Sequence, residues 1–211
     1  MSLADSRREF SRSDLDETTL HADPIAQFGQ WFDEVSRADI TDANAMTLAT
    51  ADARGEPSAR IVLLKDFGPG GFTFYTNYES RKGRDLRENP RAALVFYWKE
   101  LERQVRINGT TERVGREESE RYFESRPLGS RLGAWISEQS RPVPDRHFLE
   151  DRLEEIRRRF AGDEVPLPEF WGGYRLRPGV IEFWQGRPNR LHDRILYTRE
   201  HEGWKRERLA P

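Results

Sequence analysis

The sequence predicts a mainly antiparallel β-barrel decorated by helices, an α+β arrangement. Three observations carry this. Strand signals follow one another closely between residues 45 and 114. Helical-period segments are inserted among the strands instead of alternating with them one for one. No glycine-rich strand-to-helix turn of the dinucleotide-binding kind occurs.

Residues 1–22 lack periodicity and read as an arm, leaving 23–211 as a single domain. Asp23-Pro24 offers an N-cap and a first-turn proline, and Ile25, Phe28, Trp31, Phe32 and Val35 follow at helical spacing, so a helix is expected over about 24–37. Ala45–Ala51 is apolar and threonine-rich, and Asp52–Pro57 contains Gly55 and reads as a turn. Ser58–Phe67 carries the run Ile61-Val62-Leu63-Leu64, which suits a buried strand. After a turn at Gly68–Gly71, Phe72, Phe74 and Tyr75 mark another strand, and Glu79–Asn89 a short helix stopped by Pro90. Strands are expected at Ala92–Trp98 and Arg103–Val114, then two or three helices within about 116–136 and 145–160. The second helical stretch is crowded with charge and belongs on the surface. The last strands fall near Gly173–Arg177, Val180–Gln185, Arg194–Thr198 and Trp204–Arg208.

Composition narrows the function. The 35 basic and 37 acidic side chains nearly cancel, which argues against a general electrostatic hold on nucleic acid. The absence of cysteine excludes disulfides, thiolate metal sites and a cysteine nucleophile; no metal is expected, and a cytoplasmic location fits. The polar N-terminus lacks a secretory apolar core, and no apolar run approaches a membrane span. Only four lysines occur, and two of them, Lys65 and Lys82, fall in the region densest in motifs.

Three groups of residues could carry chemistry. Residues 181–194, from Ile181-Glu182-Phe183-Trp184 to Arg190-Leu191-His192-Asp193-Arg194, place Arg190, His192 and Arg194 in alternation, hence on one face if the segment is a strand. A core face would not tolerate two unpartnered guanidinium groups; on composition alone, a solvated edge strand with charges for solubility is the favoured reading. Ser80-Arg81-Lys82 opens a helix, where free N–H groups and the helix dipole favour an anion, although an ordinary capped surface helix fits too. Tyr122 and Arg126 stand four apart on one helix face, and Pro127 and Gly129 could turn Ser130 back toward them.

Residues 181–194 resemble the C-terminal signature of the pyridoxamine 5′-phosphate oxidase family: aliphatic, Glu, aromatic, Trp, a spacer, then Arg-x-His-x-Arg. Arg60-Ile61-Val62-Leu63-Leu64-Lys65 is similar to that family's flavin- and substrate-contacting strand. Tyr75-Thr76-Asn77-Tyr78-Glu79-Ser80-Arg81-Lys82 is similar to its phosphate-binding turn. Leu101–Val105 and Gln139-Ser140 follow in the same order. The resemblance runs from about residue 24 to Pro211. It implies a split β-barrel of FMN-binding type, dimeric, with FMN between subunits. It further implies an FMN set of Arg60, Ile61, Val62, Leu63, Leu64, Lys65, Tyr75, Thr76, Arg81, Lys82, Gln104, Gln139, Ser140, Trp184 and Arg194. The substrate set would be Lys65, Tyr122, Arg126, Ser130, Arg190 and His192, the last two serving in catalysis. Arg7-Arg8-Glu9-Phe10 resembles a segment that closes over the substrate, with Phe10 where Tyr is usual. The implied reaction is oxidation of pyridoxamine 5′-phosphate and pyridoxine 5′-phosphate to pyridoxal 5′-phosphate, with O2 giving H2O2. The alternative is a non-catalytic FMN- or pyridoxal-phosphate-binding protein of the same fold.

Overall fold

The computed structural model describes residues 9–10, 12–162 and 164–211. Arg7 and Arg8 lie outside the described residues. Among the described residues nine antiparallel strands, β1 to β9, form one sheet: β1 (Ala45–Ala51), β2 (Pro57–Leu63), β3 (Asp66–Gly68), β4 (Gly71–Asn77), β5 (Arg91–Trp98), β6 (Arg103–Arg113), β7 (Trp171–Gln185), β8 (Asp193–Glu200) and β9 (Gly203–Arg208). The order is β2-β1-β5-β6-β7-β4-β3, with β8 also on β7 and β9 on β8. The fold is the expected split barrel.

The split lies in β7. Its first half pairs with β4 and its second half with β8, while β6 runs along its other edge. Two short strands, near Gly173–Arg177 and Val180–Gln185, were expected here. The chain instead runs through as one strand, with a register shift beside Gly109 where Gly179 is passed over. A bulge tolerates the proline's missing N–H.

Helix α1 (Pro24–Arg37) begins where the sequence places it; the Asp23 carboxylate accepts from the Ile25 N–H at 2.9 Å. Its buried face, Phe28, Trp31 and Val35, joins the barrel core with Leu48, Phe72, Phe96 and Phe183. Phe28 meets Phe67 and Phe72 edge-on, both at 4.9 Å between ring centres. A second, smaller core gathers Phe123, Leu132, Ile156 and Trp171 beneath α3 (Arg116–Glu124), α4 (Leu128–Ile136) and α5 (Arg146–Arg159). As expected, α5 lies on the surface, burying only Ile156. No helix among the described residues is long and apolar enough to cross a membrane.

Two further expectations fail locally. Residues 58–67 are not one buried strand. β2 ends at Leu63, Leu64 turns into the core, and Ile61 and Leu63 stay 65% and 41% exposed. The cause is position: β2 is an edge strand paired only with β1, so its outer face stays uncovered among the described residues. Arg190, His192 and Arg194 do not share a strand face either. Pro188–Arg190 forms a 3-10 turn, Asn189 and Arg190 adopt left-handed backbone (φ 56° and 62°), and β8 begins only at Asp193. The proline interrupts the alternation.

The segment before α1 is tied down. Leu15 is buried, its N–H donates to Asp193 at 3.1 Å, and the Arg12 N–H donates to Glu102 at the same distance.

Candidate active site

A cavity of about 950 Å³ opens between β2, β4, the N-terminus of α2 (Arg81–Glu88) and the α3–α4 junction. Of the residues singled out from the sequence, it is lined by Arg60, Ile61, Val62, Leu63, Lys65, Tyr75, Thr76, Arg81, Lys82, Tyr122, Arg126, Ser130, Gln139 and Ser140. It has two cationic regions and an aromatic wall.

The first region is built on α2. Ser80 caps the helix, its hydroxyl accepting from the Gly83 N–H at 3.3 Å, so the chain enters the helix beside the cavity. Lys82 is only 8% exposed. Its ammonium donates to Gln139 Oε1 (2.8 Å), Thr76 Oγ1 (3.2 Å) and Ser80 Oγ (3.4 Å), neutral acceptors all. Burial, reinforced by the Arg60 charge, pushes its pKa down to about 8. Arg60, half-buried, donates to Thr50 Oγ1 and Ser58 Oγ, both at 2.7 Å. A corner with this surplus of buried positive charge fits an anion.

The second region lies against the aromatic wall. Tyr75 and Tyr122 stack at 3.9 Å, with Trp171 nearly parallel to both. Arg126 rests 4.6 Å above Trp171, and Lys65 stands 6.0 Å from the Tyr122 ring centre. Arg126 Nη1 is buried with no hydrogen-bond partner, and desolvation lowers the guanidinium pKa. An orphaned guanidinium N–H facing a cavity is a donor awaiting an acceptor. Arg126 does not ride on α3 as the four-residue spacing suggested, since α3 stops at Glu124 and Arg126 occupies the link before Pro127. Pro127 ends the turn as expected, while Gly129 and Ser130 sit in the first turn of α4.

The remaining singled-out residues are elsewhere. Leu64 is in the core. Gln104, Trp184 and Arg194 form one cross-strand row with the exposed Tyr97, on the sheet face opposite the buried row of Phe96, Val105, Phe183 and Ile195. Glu182 holds this row. It is 5% exposed and accepts from Arg194 Nε at 2.8 Å and Arg106 Nη1 at 3.1 Å. His192 packs on Trp184 at 4.7 Å, and Phe10 meets both rings edge-on. His192 Nδ1 accepts from the Arg187 N–H at 3.1 Å, so a neutral ring carries its proton on Nε2. Burial first, then Arg190, lowers the His192 pKa and favours that neutral form.

Sequence reasoning missed Trp171, Asp85, Thr50 and the clamping role of Glu182. Glu182 was visible within its motif; the others gave no signal, because their importance comes from long-range packing.

Fold and site together define a split-barrel protein whose cavity carries two cationic regions. The profile described as pyridoxamine 5′-phosphate oxidase matches residues 32–160, and that of the pyridoxine 5′-phosphate oxidase C-terminal dimerisation region matches 171–211. Pyridoxine/pyridoxamine 5′-phosphate oxidases of Rubrobacter xylanophilus and Cupriavidus pinatubonensis are each 60% identical, covering 99% of this chain and 96% and 99% of theirs. Among solved structures, PhzG from Burkholderia lata 383, in complex with tetrahydrophenazine-1-carboxylic acid, superposes with a TM-score of 0.89 at 30% identity, covering 95% of this chain and 100% of its own. A pyridoxamine 5′-phosphate oxidase-related, FMN binding protein from Nostoc punctiforme gives 0.71 at 19% identity, over 89% and 98% of the two chains. The chain belongs to the pyridoxamine 5′-phosphate oxidase family and is an oxidoreductase of that family.

Proposed function

We propose that this chain is an FMN-dependent oxidase that converts pyridoxamine 5′-phosphate and pyridoxine 5′-phosphate to pyridoxal 5′-phosphate, working as a homodimer. One observation carries the reading: a single cavity holds two separate cationic regions, Arg60-Arg81-Lys82 and Lys65-Arg126, one for each of two phosphates.

The first region takes the FMN phosphate, with Thr76, Gln139 and Ser140 supplying neutral partners. Bound FMN supplies a two-electron acceptor, reoxidised by O2 with release of H2O2. Arg126, Lys65, Tyr122 and Ser130 hold the substrate phosphate; Arg126 Nη1 gains the acceptor it lacks. Fixing that phosphate fixes the reach of the substrate's C4′ arm, and orientation is the protein's main contribution. The alcohol gives up two electrons and two protons. The amine does likewise, and water then replaces the nitrogen, which leaves as ammonia.

Arg190 and His192 are assigned to the substrate ring, where a cation and an Nε2–H donor steady developing negative charge. Within one chain the Trp184 row lies four strand spacings from Ile61, roughly 19 Å along the sheet. A two-fold copy resting on this outer face would bring one protomer's row to the other's β2 edge. The exposed Ile61, Leu63 and Tyr97 on that face, and the matched dimerisation region, support the arrangement.

The test is oxygen consumption coupled to aldehyde formation on FMN-reconstituted protein. Turnover of pyridoxamine 5′-phosphate but not of pyridoxamine is expected. A flavin-loaded protein that forms no aldehyde would favour the binding-protein alternative.

A further inference from the structure

Arg60, Arg81 and Lys82 crowd one corner of the cavity, and a buried carboxylate lies behind them. Asp85 is 6% exposed, sits one turn past Lys82 on α2, and lies 3.7 Å from Arg60 Nη2. It accepts from Thr50 Oγ1 at 2.6 Å, and that same hydroxyl accepts from Arg60 Nη1 at 2.7 Å. A relay therefore runs from Arg60 through Thr50 on β1 to Asp85. By charge alone, a carboxylate this close should oppose anion binding, so its presence calls for an offsetting gain.

We propose that Asp85 is a positioning residue for the phosphate corner: through Thr50 it fixes the Arg60 guanidinium, and it sets one buried carboxylate behind the corner's cations. The proposal rests on the reading that this corner takes the FMN phosphate. Burial and Arg60 drive the Lys82 ammonium toward losing its proton, and Asp85 opposes them. Besides Arg60, the ionisable groups sharing the cavity with Lys82 are Lys65, Tyr75, Arg81, Tyr122 and Arg126. The cations among them offer Lys82 no compensation, and burial pushes the Tyr75 phenol up to about 12, so it stays neutral. Without Asp85, Lys82 would shed its proton at lower pH. The arginines remain charged throughout.

The experiment titrates full-length apoprotein with FMN and with riboflavin from pH 6 to 9.5, following flavin fluorescence. The preference for FMN over riboflavin isolates the phosphate, and comparison between variants cancels the ligand's own titration. At pH 6, where Lys82 is protonated in both proteins, Asp85→Asn should equal or exceed the wild-type preference, one opposing charge having gone. At pH 8.5 its preference should be about tenfold lower for each unit by which Asp85 raises the Lys82 pKa. Asp85→Glu should restore much of the loss. A variant curve parallel to wild type at every pH overturns the proposal. A wild type that binds riboflavin as well as FMN overturns the underlying reading of the corner instead. Should Asp85→Asn fail to fold, Thr50→Val carries the test. It cuts the relay but keeps the charge, and is expected to lower the preference a few-fold at all pH values; an unchanged preference there overturns the proposal.

Discussion

Lys82 shows at the scale of one residue how a site is held ready at some cost in stability. Its pKa lies near 8 in the folded chain against 10.5 for an ordinary lysine. Between those values the unfolded chain binds more protons than the folded one, so apoprotein stability rises with pH across the window, and below it the buried charge is a constant burden. Lys82→Met should therefore stabilise the apoprotein below pH 8 and flatten its pH dependence from 8 to 10.5, measured by thermal unfolding. The same variant should bind FMN about ten- to a hundredfold more weakly, because a charge-assisted hydrogen bond contributes about 1.5–3 kcal/mol. At the other cluster, Arg190→Met is expected to retain FMN and lose most substrate oxidation. Flavin loss with unchanged turnover per remaining flavin would contradict the role assigned to Arg190.

Among the elements, α2 was the most legible in sequence: Ser80 caps it, and its two following cations turn to the cavity as the motif implied. Its third residue adds a constraint that no pattern announced. A Cβ on Gly83 would lie 2.1 Å from the Tyr78 carbonyl oxygen, which is backbone and cannot swing away. Gly83→Ala should destabilise the fold by about 1–3 kcal/mol and reduce FMN affinity together, as the first turn of α2 shifts. Helix α1 was equally legible, because its apolar stripe and its cap both lie within a few residues. There, Phe28→Ala should cost about 3–5 kcal/mol, read as a lowered unfolding midpoint. Where the sequence misled, pairing partners decided the outcome. Two strands were expected where β7 runs on through a bulge at Gly179 against β6, Ile61-Val62-Leu63 looked buried until β2 proved an edge, and Arg126 left its helix because Pro127 ends the turn. Asp85 was unreadable, since Thr50 and Arg60 reach it from strands more than twenty residues away.

For the whole molecule, the question is how two surfaces of one chain become one site. Ile61 and Leu63, at the cavity's β2 rim, share the sheet's outer face with the Trp184 row but stand apart from it, and with Tyr97 they stay exposed among the described residues. Tyr97→Asp, on the same face but outside the cavity, should convert a dimer to monomers by sedimentation and weaken FMN binding in parallel. A monomeric variant with undiminished FMN affinity would contradict a shared site. The central claim, two phosphate centres serving one redox event, is tested most directly by anaerobic reduction of the reconstituted protein. Pyridoxamine 5′-phosphate should bleach the flavin's visible absorbance and yield one aldehyde per flavin reduced, and Arg126→Ala should demand far more substrate for the same bleaching. A flavin that stays oxidised with the phosphorylated vitamers, yet is reduced by a donor lacking phosphate, would contradict the account.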